Sequence, residues 1–347
     1  MNRTFASWIA ANPGGAVFLT GLLGLLPLFG LGFAFFLPGA VPALVVLTRG
    51  AREGVMVAAG ASLLLALAMW ILGRPPPVGL IYSMWVLGPP LALAALLKRS
   101  ASLALCLQVA VLAGIMMLVL LHLGLGPPEK FSEQFVRDLS AEMQGQGMDL
   151  KDDEGIFEVL SKSLWGWVTG LTVLMALFSA FFARWLEALG RNSGRLAFDP
   201  FVVLLVGLLA IVGFGLVFGG SVRTELVKNL LSLGLFVFVF ASPREPTEYS
   251  REFNSLKLGL FLAWLGLLIT LVSVFSTTPL VIDARNLLLL AFALVGLAAA
   301  HGLKGRGVLN GFWLPLFYLA LVFAAPLMAG WGFVENWLRS RRAAQSA

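Results

Sequence analysis

Apolar runs of roughly 20 residues recur from one end of the chain to the other, parted by short clusters of charge, glycine and proline. Each such run is long enough to cross a hydrocarbon core of about 30 Å. The runs fall at 14–36, 38–48, 55–72, 78–97, 101–125, 164–183, 200–220, 225–241, 256–276, 286–303 and 308–330. The pattern predicts an all-α fold, a polytopic transmembrane helical bundle of about ten spans, roughly nine to eleven. The run at 38–48 stands apart. As a helix it is about 16 Å long, roughly half a bilayer. Pro38, Gly39 and Pro42 stand at its start, and Arg49, Arg52 and Glu53 follow it at once.

Between 126 and 163 the apolar pattern stops. Phe131, Phe135, Leu139 and Met143 recur every four residues with charge between them, which predicts an amphipathic helix ended by Gly145 and Gly147. A second short helix is expected from Asp152, with acids at its N-terminus offsetting the helix dipole. This loop holds nine acids against four bases. The chain thus divides into an N-terminal membrane region at 1–125, the acidic loop at 126–163 and a C-terminal membrane region at 164–347, one integral unit.

Composition agrees with the pattern. The 347 residues are 59% hydrophobic and only 12% charged, where a soluble domain carries about 25% charged residues. Their mean hydropathy is +0.92. The formal net charge of +6 is read as cytoplasmic loop charge rather than as a nucleic-acid surface. Arg49 and Arg52, Lys98 and Arg99, and Arg184, Arg191 and Arg195 are expected inside, and the acidic loop outside. Lys304 and Arg306 conflict with Arg339, Arg341 and Arg342 if every later run crosses; either one late run does not cross or 308–338, broken by Pro326, turns back, and a cytoplasmic C-terminus is expected. The first apolar stretch reads as a membrane segment, not a cleaved signal. Trp70, Trp165, Trp167, Trp185, Trp331 and Trp337 fall near predicted ends, where indole rings prefer the headgroup level. Trp85, Trp264 and Trp313 sit deeper, in helix packing.

Candidate chemistry is sparse. The chain has no HExxH, no nucleophile elbow and no Walker A loop, since GRNSGRL lacks the lysine. No enzymatic activity, cofactor or metal site is expected. Cys106 is the only cysteine, so no disulfide framework exists. His122 and His301 read as interfacial or capping residues, and Asp283 and Arg285 as a local pair at a helix start. Almost every charge falls at a predicted boundary, which argues against a pump with a buried carboxylate. Two stretches are left as candidate ligand-binding positions. One is Pro38, Gly39 and Pro42. The other is Trp85 with Gly88, Pro89 and Pro90, where the prolines remove backbone donors and free carbonyls near the breaks. Broken helices at membrane depth are tolerated where they are buried in protein or line a cavity.

Four stretches resemble the YybS-like bacterial membrane proteins, a family classed as a domain of unknown function (2232). LPGAVPALVVLTRGAREGVMVAAGASLLLAL is similar to the family's N-terminal pattern of a proline-containing short segment, Arg-Gly and a small-residue helix. LVGLAAAHGLKGRG at 294–307 matches a late helix through Gly296, Leu297, Ala298 and His301. EFNSLKLG at 252–259 and WGFVENWLRSRR at 331–342 resemble the approach to the penultimate helices and the closing motif. The acidic loop and the length of 195–245 depart from the family. The resemblance implies a bacterial inner-membrane protein with a fold distantly similar to the S components of energy-coupling-factor transporters, which bind small solutes and rely on a separate energising module. On that reading the proline-broken segment shapes an outer cavity, and Arg49 and Arg52 anchor or dock at the cytoplasmic face. The chain is longer than an S component and shows no vitamin-specific motif. The other reading is a membrane scaffold or assembly factor without transport activity, binding a protein partner through its acidic outer loop or basic inner loops.

Overall fold

The computed structural model describes residues 5–29, 31, 34–128, 131, 162–191, 200–218, 222–240, 247–276 and 278–345. Among these residues the regular structure is helical throughout, with no strand. The expected loop helices at 131–143 and from Asp152 lie outside the described residues, apart from Phe131.

The helices are α1 (Phe5–Ala11), α2 (Pro13–Leu25), α3 (Leu37–Thr48), α4 (Ala51–Ile71), α5 (Pro76–Ser100), α6 (Leu103–Gly124), α7 (Leu164–Arg191), α8 (Pro200–Phe218), α9 (Val222–Phe240), α10 (Thr247–Asn254), α11 (Gly259–Phe275), α12 (Pro279–Gly305), α13 (Leu314–Phe323) and α14 (Ala325–Gln345). Five of them, α4, α5, α6, α7 and α12, are long and apolar enough to cross a membrane. The number rises to seven if the bent pairs α10 with α11 and α13 with α14 each count as one span. Exposed Leu63, Ile71, Ile81, Met84, Leu120 and Leu123 give α4, α5 and α6 apolar outer surfaces suited to lipid. This is a multi-pass membrane protein in contact with the bilayer.

Among the described residues the count does not confirm about ten spans, and several of the expected runs are interrupted or charged. The run 14–36 ends as α-helix at Leu25 and passes into a 3-10 turn, Leu26–Phe29. The run 308–330 is divided at Ala324. Helix α9 begins with Arg223, Glu225 and Lys228, too much charge for a simple crossing.

The chain forms two compact units, interleaved in sequence. The first comprises Met1–Cys106, Leu174–Leu256 and Leu297–Phe323; the second comprises Leu107–Val173, Lys257–Gly296 and Ala324–Ala347. In the first unit α3 is the core. Every residue from Leu37 to Leu47 is buried, with α2, α4 and α5 packed around it. Its length of about 18 Å need not match the bilayer, because other helices, not lipid, surround it. Pro38 sits in the first turn, where its missing N–H costs nothing, and Pro42 is carried inside. Gly50, at φ +133°, makes the turn into α4 that a side chain would resist.

In the second unit α12 and α14 cross at glycine. A Cβ on Gly332 would collide with the Phe292 carbonyl, and one on Gly296 with the Met328 carbonyl. Such close approach is how membrane helices gain contact without a hydrophobic driving force. The turn into α11 is held by side-chain amides. Asn336 Oδ1 accepts from the Leu258 N–H at 2.7 Å, and its Nδ2 donates to the Gly259 carbonyl at 3.2 Å. Gln108 Nε2 donates to the Lys257 carbonyl at 3.1 Å. Backbone groups freed at the break are thereby satisfied, as a water-poor environment demands.

Candidate functional site

The proline-rich positions separate by environment. Pro38, Gly39, Pro42 and Pro90 are buried. A Cβ on Gly39 would stand 2.6 Å from the Pro90 ring and 2.7 Å from Ser179 Oγ, so α3 and α5 meet there in direct contact. Ser179 Oγ donates to the Phe36 carbonyl at 2.6 Å, at the start of α3. The two stretches singled out from sequence therefore come together through Gly39 and Pro90, as a packing contact. Trp85 and Pro89 are half-buried, and Gly88 is exposed with open space where a side chain would stand. The expected break at 87–90 is absent, for α5 runs through both prolines from Pro76 to Ser100.

Lys98, at the end of α5, closes the C-terminal end of α3. Lys98 Nζ donates to the Val46 carbonyl at 3.0 Å, and Thr48 Oγ1 to the Leu44 carbonyl at 2.8 Å. Arg49 Nη2 donates to the Ala11 carbonyl at 2.9 Å. A cation at a helix C-terminus satisfies orphan carbonyls and favours the dipole. Arg52 is exposed. Trp185, expected at the headgroup level, instead stacks on Phe182 with ring centroids 5.4 Å apart and is buried.

The strongest polar feature lies in the second unit. Asp283 on α12 is only 1% exposed, and its Oδ2 lies 3.8 Å from His122 Nε2 on α6. Thr169 on α7 is fully buried. His122 Nε2, both Asp283 oxygens and Thr169 Oγ1 are buried without a hydrogen-bond partner among the described residues. One seam of three helices holds these groups. Gly114, Leu118 and His122 share a face of α6 at four-residue spacing; Gly166 and Thr169 share a face of α7; Asp283 and Leu287 share a face of α12. Contacts confirm the seam: a Cβ on Gly114 would meet Leu287 and Val173 at 2.8 Å, and one on Gly166 would strike the Asp283 carboxylate. One end of each helix meets here, since His122 lies at the end of α6 while Gly166 and Asp283 lie at the start of α7 and α12. Trp165 Nε1 donates to the Gly126 carbonyl at 3.0 Å beside it.

This corrects two expectations. Asp283 does not pair with Arg285, which is half-buried and whose guanidinium bonds Asn286 Oδ1 at 3.0 Å. A carboxylate is also buried among spanning helices, where none was expected. A usable sequence signal existed, because residues two apart on a helix do not face one another. His301, in the first unit, meets the Tyr318 hydroxyl at 2.9 Å and the Phe253 ring. Among the described residues no group of three or more His, Cys, Asp or Glu side chains is placed to hold a metal ion.

A second ionic cluster belongs to the first unit. Arg184 on α7 reaches Glu187 at 2.8 Å and grips both carboxylate oxygens of Glu252 on α10. It ties α10 to α7 and leaves the guanidinium fully engaged, which makes it a structural fastening rather than an open site.

No family model, no curated protein and no solved structure matches this chain.

Proposed function

We propose that this chain is a bacterial inner-membrane protein that binds and takes up a small solute without an ATPase of its own, in the manner of an energy-coupling-factor S component. The observation that carries the reading is the seam of His122, Asp283 and Thr169. Buried polar groups without partners are costly, and within membrane helices an ionisable residue is a functional site by default. The seam offers acceptors, so it fits a solute that brings hydrogen-bond donors or positive charge, such as an organic amine. With the acidic loop outside and the C-terminus inside, the seam opens toward the outer face. Exposed Arg52 then lies at the cytoplasmic side, open to a separate energising module. The YybS-like resemblance is part of the same proposal. It draws support from the meeting of its weak motifs, since Asn336 of 331–342 holds Leu258 and Gly259 of 252–259.

The test is a thermal-shift screen of detergent-purified protein against organic amines, amino acids, vitamins, nucleobases and transition-metal ions. An amine should raise the melting temperature by several degrees, as ligand linkage requires, and Asp283→Asn should abolish that shift. A flat screen on folded protein would remove the solute reading and favour the scaffold.

A further inference from the structure

The hydrogen-bond arithmetic at the seam is one hydrogen short. His122 Nδ1 lies 3.0 Å from the Leu118 carbonyl oxygen. That oxygen only accepts, so Nδ1 carries the hydrogen. In the neutral ring Nε2 is then a bare lone pair, and it faces Asp283 Oδ2 at 3.8 Å. An ionised carboxylate also only accepts. Two buried acceptors thus face each other, and among the described residues no side chain donates to either, although the Gly166 N–H is directed at the carboxylate. A bridging water would hold its two partners about 4.5 Å apart, so the gap is too narrow for one. A single hydrogen on either atom turns the pair into donor and acceptor, with a small closure of the side chains.

We propose that His122 and Asp283 bind one exchangeable proton between them, so that the seam is a proton site in a membrane-spanning part of the molecule. The proton adds to Nε2 from bulk solvent, is held there in a hydrogen bond to the carboxylate, and returns to solvent; no other bond changes. Among the described residues His122 is the only charged or titratable group in the last two turns of α6, and the first two turns of α7, LWGWVTG, contain none. Lys162, just before α7, is exposed. On α12 the one other charge nearby is Arg285, half-buried and bonded to Asn286. Gly166 keeps the start of α7 close against the carboxylate, where any side chain would displace it. The proposal concerns the proton itself and stands whether or not a solute is found.

The experiment is nitrogen NMR of the whole protein in nanodiscs with 15N-labelled histidine. The chain has two histidines, and His122→Gln assigns the signals. As the pH is lowered over the range in which the protein stays folded, His122 Nε2 should change from a bare to a protonated nitrogen, while Nδ1 stays protonated throughout. In Asp283→Asn the Nε2 change should be lost or altered, and Asp283→Glu should restore it in part. An Nε2 that stays bare in the wild type across the range overturns the proposal without any variant. So does an Nε2 that behaves identically in wild type and in folded Asp283→Asn.

Discussion

Gly332 and Asp283 show how differently two residues can be written in a sequence. Gly332 lies in a motif that stands out by its glycine and aromatic spacing, and its role follows from size alone. Backbone of α12 occupies the space where its side chain would be. Gly332→Val should therefore force α12 and α14 apart and destabilise the protein by about 1–3 kcal/mol, whereas exposed Gly330, with open space around it, should accept alanine with little change. Unfolding in mixed detergent micelles measures both. Asp283 is the opposite case. Its position at a helix start was legible, but its partner was not, because His122 lies far away in sequence and only the packing of α6 against α12 brings the two together. A local rule offered Arg285, and the helix turned that residue outward.

At the scale of elements, runs of apolar residues located most of the helices, and the prolines located their weak points less well. The reason is environmental. Pro89 and Pro90 leave α5 intact, and Pro42 leaves α3 intact, because proline bends or weakens a membrane helix while neighbouring helices keep it in place. Charge was informative about ends but silent about what the charges hold. Lys98 closes α3, and Arg184 binds α10 to α7. Arg184→Gln should leave Glu187 buried with less compensation and free Glu252. A loss of about 3 kcal/mol is expected, reduced by the partial exposure of Glu252, and proteolysis within 247–254 should rise before the rest of the chain unfolds. Limited proteolysis with mass spectrometry reads that order directly. Equal protection in variant and wild type would show that α10 is held by its aromatic contacts, Phe253 with Phe181 and His301, instead.

For the whole molecule, class was plain from composition, but span number was not, because length alone does not distinguish a helix that crosses from one enclosed by others. The α3 helix makes the difference concrete, and it carries a consequence for biogenesis. A dozen apolar residues that depend on α2, α4 and α5 for shelter have little reason to leave the insertion machinery for lipid by themselves. Synthesis must deliver the following two helices before α3 finds its place, so α3, α4 and α5 should enter the bilayer as a group. Reporter fusions cut after residue 48 should then give mixed or inverted topology and be degraded quickly. Fusions cut after residue 100 should give one orientation and persist. A stable, single orientation already at 48 would mean that α3 inserts independently and is enclosed only later.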